Sequence, residues 1–188
     1  MQQRAIDKYS RLIAAGTRVI HERGYQKTIL ADVARQAKVP QGSLYYYFKT
    51  KDDIASAIMA ERLNHLNELI TKWNKLDTPQ ERLHALINVW VDDRDIDSRY
   101  GCPIGSLCYE LSKKRDALSE MAAEPLKLLV KWSEKQFGQM GKSRREAHDL
   151  GLHLVSALQG VSLLANAFGS AQVILREAKQ LKQWINEL

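Results

Sequence analysis

Only two of the 188 residues are cysteine, four are proline and ten are glycine. Cys102 and Cys108 are too few for a disulfide scaffold, and no second Cys or His pair stands at zinc-ligand spacing, so neither a stapled secreted domain nor a metal site is expected. A reducing cytoplasm suits the two thiols. The low Gly and Pro content excludes collagen-like and low-complexity chains, and a hydrophobic fraction of 45% excludes disorder. The start, Met1-Gln-Gln-Arg-Ala-Ile-Asp-Lys8, lacks the apolar run of a signal peptide, which points away from secretion. Strand-like alternation, internal repeats and long linkers are also lacking. The central part shows no acid/base pair, nucleophile triad or phosphate loop, so no enzyme activity and no cofactor are expected.

One long run without Asp, Glu, Lys or Arg is present, the 26 residues from Leu150 to Leu175. Its length would span a bilayer. Its interior carries His153, Ser156, Gln159, Ser162, Asn166, Ser170 and Gln172, and Gly169-Ser170 divides it into pieces too short to span. A buried helix pair with an unusually apolar surface accounts for it better than a membrane.

The formal charge is +6, and it is concentrated. Residues 1–62 hold 11 Lys and Arg against 6 Asp and Glu, a net of +5, while residues 63–188 hold 17 against 16. A local excess of this kind marks where a polyanion docks.

Hydrophobic spacing is helical almost throughout. Ile6, Tyr9, Ile13, Gly16 and Ile20, flanked by Leu12 and Val19, keep one face of a helix over about residues 4–23, which Gly24 closes in a left-handed conformation. Thr28 reads as the N-cap of a short helix to about Ala37, and Pro40 separates it from a two-turn helix, Gln41 to Phe48. Thr50 with Asp53 opens a long helix to about Trp73 or Lys75. Thr78-Pro79-Gln80-Glu81 combines a capping box with proline at the first helical position and starts a helix to about Ser98. After Tyr100-Gly101-Cys102-Pro103-Ile104-Gly105, a shorter helix runs to about Lys114. Others follow from about Asp116 to Met140, from Ser143 of Ser143-x-x-Glu146 to about Phe168, and from Ser170 to the end. The expected fold is all-α, about nine helices and no sheet.

Two short helices joined by a tight turn, behind a longer one and inside the basic third of the chain, make a helix-turn-helix arrangement. Ala31, Val33, Ala34 and Ala37 are small or apolar, as closely packed helices require. Gln41, Ser43, Tyr45, Tyr46, Lys49 and Lys51 carry donors that reach base edges and phosphates. Three consecutive tyrosines on a two-turn helix cannot all face a core.

The run from Arg23 to Ile54, Arg-Gly-Tyr-Gln-Lys-Thr-Ile-Leu-Ala-Asp-Val-Ala-Arg-Gln-Ala-Lys-Val-Pro-Gln-Gly-Ser-Leu-Tyr-Tyr-Tyr-Phe-Lys-Thr-Lys-Asp-Asp-Ile, resembles the DNA-binding domain of the tetracycline-repressor (TetR) family of bacterial transcription regulators. Gly24, Tyr25, Thr28, Asp32, Ala34, Gly42, Leu44, Tyr45, Phe48, Lys49 and Lys51 fall at the family's spacing, and the resemblance covers about residues 5–55. It implies a helix-turn-helix domain over residues 1–50 and an effector-binding and dimerisation domain over residues 51–188. It also implies a homodimer on a palindromic double-stranded operator, released by a small-molecule or electrophile effector. By the same resemblance Thr28 and Lys27 meet phosphate at the start of the second helix, where the helix dipole favours an anion. Gln41 and Ser43 meet bases, Gly42 allows close approach, Tyr45 and Tyr46 meet phosphate or thymine methyls, and Lys51 meets phosphate. Leu44 and Phe48 read as core, Asp32 as support for the fold, and Tyr47 as either packing or a DNA contact.

Two faces of the last helices are apolar: Leu152, Val155, Leu158, Ser162, Ala165 and Phe168 on one, and Ile174, Ala178, Leu181 and Ile185 on the other. In the family such helices form a four-helix dimer interface, which would bury the uncharged run; an intrachain core is the alternative. The family places its ligand site among the central helices, where Trp90, Tyr100, Trp132 and Phe137 are either pocket lining or plain core. Gly101-Cys102-Pro-Ile-Gly105-Ser-Leu-Cys108-Tyr-Glu-Leu resembles a Gly-Cys-x-x-Gly-x-Leu-x-x-Glu-Leu motif of one branch of the family, some members of which sense electrophiles or oxidants through cysteine. At a helix start the Cys102 thiol pKa would be lowered, making Cys102 a sensor; the alternative is that both thiols, Cys102 and Cys108, are small core residues.

Overall fold

Capping chemistry sets most helix boundaries. The computed structural model describes residues 2–188, with side chains from residue 5 onward. Met1 and the side chains of Gln2, Gln3 and Arg4 lie outside the described residues, and with them part of the start and one of the counted basic charges. Among the described residues there are ten α-helices and no strand: α1 Gln2–Arg23, α2 Leu30–Ala37, α3 Gln41–Tyr47, α4 Lys51–Trp73, α5 Pro79–Asp92, α6 Arg94–Tyr100, α7 Pro103–Ser112, α8 Ala117–Gln139, α9 Arg144–Phe168 and α10 Ala171–Asn186. Thr78 and Ser143 each form complete capping boxes, with Glu81 and Glu146. Gly24 ends α1 at φ +82° and Gly169 ends α9 at φ +61°, both left-handed.

The tenth helix comes from a break at Asp93. One helix from Thr78 to about Ser98 is expected from spacing, but α5 stops at Asp92 and α6 begins at Arg94. Carboxylates in the run Asp92-Asp93-Arg94-Asp95 disfavour a helix C-terminus and favour an N-terminus, and Asp95 and Asp97 lie in the first turn of α6. Asp93 takes φ −90°, ψ 5°, between the two.

The helices gather into two compact units, residues up to Asn64 with Ser106–Ala123, and His65–Gly105 with Glu124–Leu188. In the first unit Leu12, Val33, Leu44, Ile54, Ile58 and Leu111 are fully buried together. This unit extends past residue 50 because α4 lies close on α1. A Cβ at Gly16 would come within 2.9 Å of the Ile54 side chain. Lys38 ends α2 in the left-handed region without being glycine, at φ 54°. The Arg11 guanidinium holds that end by donating to the Ala37 and Lys38 carbonyls.

In the second unit α10 packs on α5 and α9, and α6 on α9. Leu83, Leu86, Ile87, Phe137, Leu154, Ile174 and Ile185 are fully buried there, each such side chain stabilising the fold by about 1.5–3 kcal/mol. A Cβ at Gly151 would lie 2.8 Å from the Glu134 backbone nitrogen, so α8 and α9 cross where glycine is needed. α9 is long and apolar enough to cross a membrane by length and composition, yet its Ala147, Gly151, Leu154, Val155, Leu158, Val161, Ser162 and Ala165 are buried in the unit.

Candidate nucleic-acid interface and effector region

On a helix of two turns, burying residues four apart dictates what the other side presents. In α3, Leu44 and Phe48 at its end enter the core of the first unit, as expected. Gln41, Gly42, Tyr45 and Tyr46 are therefore exposed, Tyr46 by 78%, with Ser43 half-buried at the edge. A Cβ on Gly42 would meet nothing within 4 Å, so the face is unobstructed at that point. Tyr47 turns inward: its ring stands edge-on to Tyr9 and its hydroxyl donates to the Ala5 carbonyl at 3.2 Å. Of its two expected roles the structure shows packing.

The flanks hold two corrections. Thr28 neither caps α2 nor faces solvent. It is 1% exposed, its hydroxyl donates to the Gly24 carbonyl at 2.8 Å, and the N-cap position belongs to Ile29, which has no side-chain cap. The backbone turn after α1 takes the hydroxyl that a phosphate contact would need. Lys51, expected to meet phosphate, is half-buried, donates to the Tyr25 and Gln26 carbonyls at 2.9 and 3.1 Å and lies 4.3 Å from the Tyr25 ring centroid. Two carbonyls of the turn, one of which also accepts the Thr28 N–H, and a π face engage its ammonium. Lys27 is exposed. Lys49 is exposed and donates to the Tyr45 carbonyl at 2.6 Å, at the C-terminus of α3, where a cation is favoured. Thr50 and Asp53 form the expected reciprocal cap, and the Thr50 backbone N–H holds the Asp53 carboxyl below its usual range. Asp32 supports the fold through Arg35 at 3.2 Å and Arg23 at 3.7 Å.

Arg11, Glu110 and Lys114 were not legible as site residues. Their partners lie 26 to 89 positions away, and no short-range pattern announces such contacts.

The aromatic candidates for an effector pocket sit in the second unit's core. Trp90, Trp132 and Phe137 are buried and Tyr100 is half-buried. Trp132 packs at a tilt against Trp73, ring centroids 5.1 Å apart, and donates its indole N–H to the Asn74 side chain at 3.0 Å; Phe137 lies against Trp184. Cys108 falls in the first unit, half-buried against its core.

A polar seam enters this core. The Trp90 indole N–H donates to the Ser162 hydroxyl at 2.8 Å, and that hydroxyl donates to Asp97 Oδ2 at 2.9 Å. Asn166 reaches the Ser98 carbonyl at 3.4 Å, and Gln159 reaches Cys102 Sγ at 3.6 Å. Residues 159, 162 and 166 share one face of α9 at the i, i+3, i+7 spacing. Gly105 leaves room for the Gln159 amide, whose oxygen a Cβ there would overlap. Asp97 is 2% exposed, and its Oδ1 is buried without a hydrogen-bond partner. Burial pushes its carboxyl up to about 6, with Asp93 adding and Ser162 opposing.

The Cys102 thiol does not have a lowered pKa. Burial pushes it up and Asp97 adds to this, outweighing the Gly105 N–H and the Gln159 amide that point at the sulfur. Desolvation defeats the helix-start effect at this site. Neither cysteine is in a disulfide.

Most of the expected dimer face is the chain's own core. Val155, Leu158, Ser162, Ala165, Ile174, Ala178, Leu181 and Ile185 are all buried within the second unit, because α9 packs α6 and α10 on that side. Only Leu152 and Phe168 of the ten are exposed. Beside them Leu163 and Leu164 are exposed by 68% and 47%, residues missed because the spacing of the wider buried stripe dominates the pattern. A groove of about 380 Å³ between α9 and α10 is lined by Ala157, Gly160, Val161, Leu164, Val173, Arg176 and Glu177.

An exposed two-turn helix with amide and phenol donors, locked to two further helices, defines a helix-turn-helix DNA-binding protein. Residues 12–58 match the bacterial regulatory proteins of the tetR family, and residues 79–180 match the C-terminal domain of LmrA/YxaF-like transcriptional regulators. The chain belongs to the tetR family of bacterial regulators, with an LmrA/YxaF-like C-terminal domain. It is 25% identical over 168 residues to the HTH-type transcriptional regulator LmrA of Bacillus subtilis, covering 85% of this chain and 86% of that protein. It is 29% identical over 123 residues to the HTH-type transcriptional repressor DhaR of Mycobacterium sp. (strain GP1), covering 64% and 59%. A TetR transcriptional regulator from Chloroflexus aurantiacus superposes with a TM-score of 0.83 at 17% identity, over 98% of this chain and 96% of that one. The chain is thus a transcriptional regulator rather than an enzyme.

Proposed function

We propose that this regulator is a cytoplasmic homodimeric repressor that binds a palindromic operator and leaves it when a small molecule binds the C-terminal region. The observation that carries this reading is the exposed face of α3, where Gln41, Gly42, Tyr45 and Tyr46 stand clear while Leu44 and Phe48 anchor the helix behind them. Gln41 and Ser43 read base edges, Tyr45 and Tyr46 meet phosphates or thymine methyls, and Lys27 and Lys49 meet phosphate. Residues 1–50 supply the DNA-binding module and residues 51–188 the effector and dimerisation part.

Dimerisation uses Leu152, Leu163, Leu164 and Phe168 with the groove between α9 and α10, since apolar side chains exposed in one stretch of helix mark an association surface. The chain carries the Gly-Cys-x-x-Gly-x-Leu-x-x-Glu-Leu motif, and its buried, poorly ionised Cys102 favours a packing role over an electrophile sensor. The effector then acts non-covalently near Trp90, Tyr100 and Trp132.

Gel shift with promoter DNA next to the chain's own gene tests the reading. Binding should be sequence-specific and salt-sensitive, and Gln41→Ala or Tyr45→Ala should weaken it. Binding indifferent to sequence would overturn it.

A further inference from the structure

The turn that delivers α2 after α1 is held by side chains from distant parts of the first unit. Glu110 on α7 accepts the Tyr25 N–H on Oε1 at 3.0 Å and the Gln26 N–H on Oε2 at 3.1 Å. Lys51 takes the carbonyls of the same two residues. The Tyr25 hydroxyl donates to Asp52, and Lys114 Nζ lies 3.0 Å from that hydroxyl and 3.1 Å from the Asp52 carboxylate. Both donors and both acceptors of the Tyr25–Gln26 backbone are thus engaged by side chains, and Tyr25 itself is 1% exposed. Gly24 makes the approach possible: it sits at φ +82°, and a Cβ there would lie 3.0 Å from Glu110 Oε1.

One carboxylate on two successive N–H groups fixes both the position and the tilt of a turn, whereas a single hydrogen bond would leave a pivot. The turn leads through exposed Lys27 directly into α2 and so into α3. We propose that Glu110, seconded by Lys114, is a positioning residue for operator recognition: without touching DNA, it sets the angle at which α2 and α3 leave α1, and hence which base edges Gln41 and Ser43 meet. The inference rests on the reading of α3 as the recognition helix. Specific binding needs base-edge donors in register, but phosphate attraction tolerates misplacement, so losing the clamp should separate the two.

The full-length chain is titrated by fluorescence anisotropy against the promoter fragment and a scrambled fragment of equal length at one salt concentration. Glu110→Ala should weaken promoter binding about tenfold, the size of one lost base-edge contact, and leave scrambled-DNA binding within about twofold of wild type. Glu110→Gln, whose one amide oxygen satisfies one of the two N–H groups, should fall between. By NMR hydrogen exchange the Tyr25 and Gln26 amides should lose protection in Glu110→Ala while those of Leu12 and Val33 keep theirs. Lys114→Met, which leaves the Glu110 contacts intact, should give a smaller loss in the same direction and guards against a folding defect in the first variant. Unchanged promoter binding in Glu110→Ala, equal losses on both fragments, or retained protection at Tyr25 and Gln26 would each overturn the inference. A wild-type chain that binds both fragments alike would instead sink the recognition-helix reading beneath it.

Discussion

Asp97 should make this protein less stable as the pH rises from acid to neutral. Its folded carboxyl is pushed up from 3.8 to about 6, so between those values the folded chain holds a proton that the unfolded chain has released. Where the folded state binds more protons, stability falls with rising pH. The loss begins as the pH passes the unfolded value and is complete once it exceeds about 6. A shift of roughly two units at 1.36 kcal/mol each amounts to about 3 kcal/mol, and at 2% exposure little solvent screening reduces it. Asp97→Asn removes the titration while keeping an oxygen that accepts from Ser162. The amide leaves a buried N–H donor near the former Oδ1, so the absolute stability of the variant is not the readout. The assay is urea unfolding of both proteins at fixed protomer concentration from pH 4.5 to 8, which holds any association constant. Subtracting the variant cancels the titrating groups that do not interact with Asp97. The difference should favour wild type progressively less by about 2 kcal/mol or more across the range and flatten above about pH 7. A difference that stays constant with pH, or one that rises, would refute the reasoning.

Leu44→Ala should cost about 3–5 kcal/mol in chemical denaturation because it leaves a cavity under α3, while Tyr46→Ala should leave the melting temperature unchanged and weaken promoter binding. Gly151→Ala should lower stability by about 1–3 kcal/mol or more, because the new methyl meets backbone of α8 rather than a movable side chain; thermal melting checks this. N-ethylmaleimide at pH 7.5 should modify native Cys102 far more slowly than a small-molecule thiol, and diamide should release neither wild type nor Cys102→Ser from DNA; fast labelling by mass spectrometry would show that the sulfur is reached in the folded state. Phe168→Glu combined with Leu163→Glu should shift sedimentation from dimer to monomer without lowering helix content, since both side chains are exposed in the single chain.

What could be read in advance follows the range of the forces involved. Thr78, Ser143, Gly24 and Gly169 act within a turn of their own position, and the structure keeps each where local chemistry puts it. The interior positions of α3 are equally local, because Leu44 and Phe48 must share a side. Thr28 and Lys51 are different cases. Both are polar, both lie at helix starts, and both suit a phosphate by composition, but each has a nearer acceptor in the turn of Gly24, Tyr25 and Gln26. A pattern of residue types does not rank two acceptors by distance. The same limit explains α9. Its apolar residues cover more than one side of the helix, so periodicity alone does not separate the side facing α6 and α10 from the side left exposed.

Cys102 shows which of two opposed effects governs a buried helix start. The Gly105 N–H lies 3.5 Å from the sulfur, as a helix-start reading expects, and it does lower the thiol pKa. Burial acts on the same group in the opposite sense and is the larger effect. The seam of Gln159, Ser162 and Asn166 then has a consistent meaning. Ser162 bonds the buried Trp90 indole and Asp97 carboxylate, half-buried Gln159 reaches Cys102 just before α7, exposed Asn166 reaches the Ser98 carbonyl, and glycine at 105 leaves room for the Gln159 amide, which a Cβ there would displace. The Gly-Cys-x-x-Gly spacing thereby places Cys102 and Gly105 around one half-buried amide. That leaves the far end of the same motif, Glu110, as the part whose chemistry faces the DNA-binding helices.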